Sequence, residues 1–296
     1  MELIFLGTSA MVPTKTRNHS GMLVKLKNER ILVDCGEGTQ RQLKIAGEKL
    51  GSLTKICISH LDGDHVLGLG GLLQSLDAED YNEELLVYGP PGIKKFIADL
   101  LKLFNIRIGY TLTIKEVTSG FVFRSDELVI ETRSLRHTKP TQGYRISAPD
   151  RLRVSKAKMK KMTLKPGPHI GKLVAGKTVK IDGKTIKPKD IGEIEEGKTI
   201  TIIMDSMYCD EMVKLAKDAD VVVCEATYLS DLEVKAKKYR HMTAEQAATV
   251  AKKGKAGRLF LTHFSARYKD AKVLEGEAKK TFSKSKAGED LLHVEI

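Results

Sequence analysis

No stretch of this chain comes near the roughly 18 consecutive apolar residues that a membrane-spanning helix needs, so no bilayer crossing is expected among its 296 residues. The opening Met1-Glu2-Leu3-Ile4-Phe5 lacks a basic lead-in and passes straight into a strand-like run, so no secretory signal is read. Cysteine is scarce and scattered. Cys35, Cys57 and Cys224 lie in apolar strand-like runs, and Cys209 stands apart. That pattern suits small buried hydrophobes in a reducing compartment rather than disulfide staples or a zinc knuckle, and the cytoplasm is the expected location. Neither a P-loop nor a dinucleotide fingerprint occurs. Gly68, Gly70 and Gly71 are read as permitting close helix packing rather than phosphate binding.

Acid is nearly missing from one region. Between Arg151 and Lys189 there are thirteen Lys or Arg and a single acid, Asp182. The whole chain has 50 basic and 38 acidic residues, so the remainder, with 37 of each sign, is neutral and the net +12 sits in this segment. A local excess of this kind points to a polyanionic partner. The segment is centred on Lys165-Pro166-Gly167-Pro168-His169 and holds few large apolar residues, so it is not expected to pack into the core. Val179 to Ile186 alternates around Asp182-Gly183, a hairpin signal. The expectation is a basic, flexible arm at 151–189 inserted in a single α/β domain spanning 1–296.

The densest chemistry lies in Ser59-His60-Leu61-Asp62-Gly63-Asp64-His65. An apolar β-like run, Lys55 to Ile58, precedes it, and an apolar helix-like run, Val66 to Leu76, follows. Two imidazoles and two carboxylates in six residues offer the donors that divalent ions prefer, and Gly63 relaxes the backbone so that several can converge. His137, Asp205 and His263 each sit just past an extended run, where α/β folds collect ligand-binding groups. Any one of them alone is ordinary. Together with the His/Asp loop they favour a two-metal site.

The motifs then take on a family likeness. Residues 60–65 resemble the H-x-H-x-D-H signature of the metallo-β-lactamase superfamily. More narrowly, the chain resembles the ribonuclease Z family, endonucleases that remove 3′ trailers from precursor tRNA. The resemblance rests on Phe5-Leu6-Gly7-Thr8, the Pro13 to Asn18 loop, Gly36-Glu37-Gly38-Thr39-Gln40, and His137 with Gly143-Tyr144-Arg145. It extends through Glu225-Ala226-Thr227-Tyr228, His241-Met242-Thr243-Ala244 and the segment Leu261 to Tyr268.

This resemblance implies a four-layer αββα sandwich with a protruding basic exosite arm, and two zinc ions per subunit. By position His60, His137 and Asp205 would serve one ion and Asp64, His65, Asp205 and His263 the other. Asp62 stands where the family has histidine; as an oxygen donor it would admit manganese or iron. His241, oriented by Glu225, would protonate the leaving group, and Asp64 would also orient the nucleophile. Lys15, Arg17 and Asn18 would sense the region after the discriminator base. Lys165, Gly167, Pro168 and Lys172 would grip the tRNA elbow, in a homodimer. The alternatives are a tRNA-binding protein whose metal site Asp62 has weakened, and a small-molecule hydrolase of the same superfamily, which would have no use for the basic segment. His19 and His169 are candidate RNA contacts, and His293 is peripheral.

Overall fold

Strands that are apolar along most of their length must be covered on both faces, as Glu2–Gly7, Gly21–Leu26, Thr199–Ile203 and Val221–Glu225 are. In the computed structural model, which describes residues 1–181 and 183–296, such strands lie within two seven-stranded sheets whose margins are more polar and more exposed. The first runs His293–Glu295, Glu2–Gly7, Gly21–Leu26, Glu29–Val33, Lys55–Cys57, Leu85–Gly89, Leu112–Glu116. It is antiparallel through Glu29–Val33 and parallel beyond. The second runs Ser285–Ala287, Arg258–Thr262, Val221–Glu225, Thr199–Ile203, Gln142–Ser147, Val129–Ser134, Gly120–Arg124.

Period-two alternation sorts side chains between layers. Ile4 and Leu6 join an outer core with Leu43, Leu72 and Ile97, from helices Thr39–Ile45, Leu69–Ala78 and Ile93–Leu103. On the other face of the same strand, Phe5 meets Phe260 of the second sheet with ring centroids 5.8 Å apart. The second sheet packs outward on Met212, Ala247 and Leu274 from helices Asp210–Ala216, Ala244–Lys253 and Lys272–Thr281. The Tyr144 hydroxyl donates across the sheets to the Ile58 carbonyl at 2.8 Å. This is the four-layer αββα sandwich.

Three local readings change. The motif expected to be a loop turns helical at Gly63–Val66, so Asp64 and His65 are helical residues; a separate helix, Leu69–Ala78, follows. The strands Gly120–Arg124, Ser285–Ala287 and His293–Glu295 were not anticipated, nor was helix Glu233–Tyr239. The packing role of Gly68 holds: a Cβ there would lie 2.1 Å from the Gly36 carbonyl oxygen, and one on Gly36 would lie 2.4 Å from that of Asp64. This close approach seats the Asp34–Gly36 turn against the motif helix.

Residues Ser147–Lys198 form a second compact unit, wider than the segment 151–189. Strand Arg151–Val154 pairs antiparallel with Gly192–Glu195. Helices Lys156–Lys161, Pro168–Val174 and Pro188–Ile191 surround a small core of Leu173, Ile186 and Ile191. Val179–Ile181 pairs with Lys184–Ile186 as the hairpin signal requires; Asp182 lies outside the described residues. Apolar side chains too widely spaced to show a period thus make a core of their own. Lys160, Lys161, Lys165, Pro168 and Lys172 are exposed, Gly167 is half-buried, and His169 is tied to the Lys165 carbonyl at 2.9 Å.

Candidate metal centre

The ends of five strands and one short helix deliver the polar cluster. His60 follows Lys55–Cys57, His137 follows Val129–Ser134, Asp205 follows Thr199–Ile203, Glu225 ends its strand, and His263 follows Arg258–Thr262. Asp64 and His65 come from Gly63–Val66. His263 holds a φ of +58°, and Asp34 one of +59°, conformations uncommon outside glycine and marks of a constrained site.

Each imidazole is fixed through one ring nitrogen. His60 Nδ1 meets the Ser59 hydroxyl at 2.9 Å, His65 Nδ1 the Asp34 carboxylate at 2.7 Å, and His137 Nδ1 the Arg240 carbonyl at 3.1 Å. His263 Nδ1 meets the Thr227 hydroxyl at 3.0 Å. An oxygen on Nδ1 orients the ring and leaves Nε2 for a cation. Four such Nε2 atoms converge on the carboxylates. Asp205 Oδ2 lies 3.6 Å from His60 and 4.0 Å from His137, and Asp205 Oδ1 lies 3.4 Å from His65 and 3.1 Å from His263. Asp64 Oδ2 is 3.2 Å from His263 Nε2 and accepts the Met11 backbone N–H at 2.8 Å. Asp62 Oδ2 is 3.2 Å from His137 Nε2.

The donor set fits metal ions. His60-His65-Asp205, His60-Asp62-His137, Asp64-His65-His263 and Asp205-His241-His263 each gather three donor atoms within 4.8 Å of one another. His60 Nε2 and Asp205 Oδ1 are buried and make no hydrogen bond, a state that costs about 1–3 kcal/mol per atom unless something satisfies it. The electrostatics ask for positive charge at the same point. Burial alone would raise the Asp205 carboxyl, but His263, His65, His60 and His241 reverse this and hold it well below the usual range. Burial alone would lower His65, but Asp205 and Asp34 take it well above the usual range. Contacts with His137 and His60 likewise hold Asp62 low.

Asp62 occupies the N-cap position of Gly63–Val66 yet makes no capping bond; its carboxylate faces the cluster instead. His241 lies two residues before Thr243, which caps helix Ala244–Lys253 through a reciprocal bond pair with Gln246. Its Nδ1 is 3.1 Å from Glu225 Oε1. Burial would lower this imidazole, but Glu225 and Asp205 raise it to about 9. The cluster floors a pocket of ≈ 330 Å³ walled by Met11, Tyr228, Lys238, Tyr239 and Ser265. A larger groove of ≈ 590 Å³, lined by Arg133, Arg145, Lys214 and Asp218, shares none of these residues.

In the Pro13 to Asn18 loop only Lys15 is a freely exposed side chain among the three expected RNA contacts. The Arg17 guanidinium is buried and donates to the Tyr268 carbonyl at 2.7 Å. Asn18 donates its side-chain amide to the Glu37 carbonyl at 2.8 Å and its backbone N–H to Asp290 at 2.6 Å. His19 is buried on the Met11 carbonyl at 3.0 Å, and His293 pairs with Glu2 at the surface. Both Asp290 and the His65 partner Asp34 escaped the sequence reading. Asp34 carries the same strand-end signal as the others. It accepts the Ser59 backbone N–H and hydroxyl, each at 2.7 Å, besides holding His65.

Asp34→Asn keeps the shape and tolerates the positive φ, but places an amide where His65 needs a charged acceptor. Metal affinity, read by chelator competition, is expected to fall about 10- to 100-fold. Unchanged affinity would leave Asp34 a purely structural residue.

Residues 1–96 match the family model described as anti-Pycsar protein Apyc1, and 191–264 match the β-lactamase superfamily domain. Ribonuclease Z of Bacillus licheniformis is 41% identical over 304 residues, covering 100% of this chain and 99% of that protein. The chain belongs to the ribonuclease Z family. The human short-form tRNase Z structure aligns over 100% of this chain and 99% of its own with a TM-score of 0.74 at 28% identity. The fold alone extends to Zn²⁺-bound PqqB of Methylobacterium extorquens, at TM-score 0.66 and 13% identity over the full length of both chains. The ribonuclease Z assignment agrees with the motif resemblance along the whole chain. Among the described residues no helix is long and apolar enough to cross a membrane.

Proposed function

We propose that this protein is a metal-dependent endoribonuclease that cuts the 3′ trailer from precursor tRNA after the discriminator, leaving a tRNA 3′-hydroxyl and a trailer 5′-phosphate. The observation that carries this reading is the set of four ring-locked imidazoles converging on Asp205 in a chain of ribonuclease Z sequence. His60, Asp62, His137 and Asp205 hold one cation, and Asp64, His65, Asp205 and His263 the other. Zinc is the expected ion, with manganese or iron admitted by Asp62. Bound there, two divalent ions supply Lewis-acid charge to the phosphodiester and acidify water.

The chain's own groups do the rest. Asp64, held by the Met11 N–H, orients the attacking water. As the new P–O bond forms and the P–O3′ bond breaks, His241 delivers the proton that the ribose oxygen requires, with Glu225 holding its ring. Lys15 meets the nucleotide after the discriminator, while Arg17 and Asn18 fix the shape of its loop. The basic unit, through Lys165, Gly167, Pro168 and Lys172, grips the tRNA elbow by phosphate contacts that carry no sequence information. The protein works in the cytoplasm as a homodimer, which mass measurement in solution checks.

The deciding assay is cleavage of a 3′-extended precursor tRNA by metal-stripped protein reloaded with zinc or manganese, beside Asp62→His. A cut after the discriminator by the native chain is expected. Tight binding without a cut, restored by Asp62→His, would make the native site a disabled one; neither binding nor cleavage would end the tRNA reading. Replacing Lys160, Lys161, Lys165 and Lys172 together by Ala is expected to lower precursor affinity at least about 10-fold. It should also flatten the log–log salt dependence by roughly 0.7–0.9 for each phosphate that is no longer neutralised. Equal affinity and slope would remove the RNA-binding role from the unit.

A further inference from the structure

We propose that Lys139 is a positioning residue that holds Asp62 as a single-oxygen, charge-compensated donor on the His60/His137 side of the centre. The inference rests on reading those residues as one cation subsite. The two oxygens of Asp62 have different partners. Oδ1 lies 2.5 Å from Lys139 Nζ. Oδ2 faces the cluster, 3.2 Å from His137 Nε2 and 3.5 Å from His60 Nε2. The Lys139 ammonium also donates to the Leu61 carbonyl at 3.4 Å, so it fastens the side chain and backbone of the motif together. Lys139 stands two residues after His137, and one short segment therefore delivers both an imidazole and a cation to the same carboxylate.

Two consequences follow for a metal. A carboxylate free on both oxygens can offer both of them, which suits hard, oxygen-seeking ions. With Oδ1 taken, Asp62 presents one oxygen, as an imidazole presents one nitrogen. The second consequence is charge. Asp62, Asp64 and Asp205 bring three negative charges to the cluster, and Lys139 pairs with the most exposed of them. The side chain of Lys139 is half exposed, so its effect has the scale of a surface ion pair and acts on preference between ions rather than on whether the site forms.

The test is a metal titration without RNA. Native protein, Lys139→Met, Lys139→Arg, Asp62→Asn and the Asp62→Asn/Lys139→Met double variant are stripped and titrated with zinc and with manganese against a chelating indicator. Melting curves verify that each is folded. Lys139→Met is expected to move the zinc-to-manganese preference toward manganese by about 3- to 5-fold. Lys139→Arg should behave as native, and Lys139→Met should shift the preference less than about 2-fold once Asp62 is Asn. No shift in the single variant, or the same shift with and without the Asp62 charge, would overturn the proposal. A protein that takes up neither ion would overturn it together with the metal-site reading. If this coupling is found while the native protein fails to cut precursor tRNA in the cleavage assay described above, only the nuclease assignment falls and the role of Lys139 stands.

Discussion

Asp205→Ala is expected to lower precursor-tRNA cleavage by more than about 10³-fold and, on the proposed two-ion reading, to leave each chain with one ion or none. The expectation comes from position. Among the described residues, Asp205 alone has one oxygen toward His60 and His137 and the other toward His65 and His263. Losing an outer residue that merely orients a ligand costs about 10- to 100-fold; losing the donor shared by both halves must exceed that. Asp205→Asn separates charge from shape, because it keeps the volume of the buried side chain and removes the counter-charge to four imidazoles. The measurements are elemental analysis of the purified protein and single-turnover cleavage at saturating enzyme. Cleavage within tenfold of native, with both ions retained, would remove Asp205 from the centre of the mechanism.

What could be read from the chain in advance was whatever is local. The spacing of His60, Asp62, Asp64 and His65 is a six-residue pattern, and each of His137, Asp205 and His263 sits just past an extended run, apolar in the last two cases. Apolar runs also announce many of the strands, whereas the two-sheet sandwich itself follows from the family resemblance and not from the runs. What could not be read is non-local. The partner of His137 Nδ1 is the carbonyl of Arg240, a backbone atom 103 positions away that no side-chain pattern encodes. The edge strand His293–Glu295 pairs with Glu2–Gly7 from the opposite end of the chain, a partnership that no local pattern encodes. Gly63 looked like a loop residue because its helix lasts only a single turn and its N-cap, Asp62, has its carboxylate engaged elsewhere. Lys139, far along the chain from Asp62, belongs to the same class: its meaning depends on a contact rather than on a motif.

His241→Ala is expected to slow single-turnover cleavage by about 10²–10⁴-fold, the range of a lost proton donor, while both ions remain bound. On the proposed reading, Glu225 is the group that would direct this imidazole. It is fully buried, its Oε1 accepts the Ser206 backbone N–H at 2.8 Å, and its Oε2 accepts the Thr227 hydroxyl at 2.6 Å. The carboxylate is held from both sides and in turn orients the ring at 3.1 Å, and Glu225→Gln should reproduce part of the His241→Ala defect. The competing role for His241 is that of a ligand, because one of its nitrogens falls within 4.8 Å of donor atoms on Asp205 and His263. A substrate with sulfur in place of the bridging 3′-oxygen separates the two. A thiolate leaves without needing a proton, so a donor's loss is repaired by the sulfur substrate and a ligand's loss is not. Recovery of the variant to within about tenfold of native on that substrate, with two ions still bound, assigns His241 to the leaving group. A missing ion and no recovery would assign it to the metal instead.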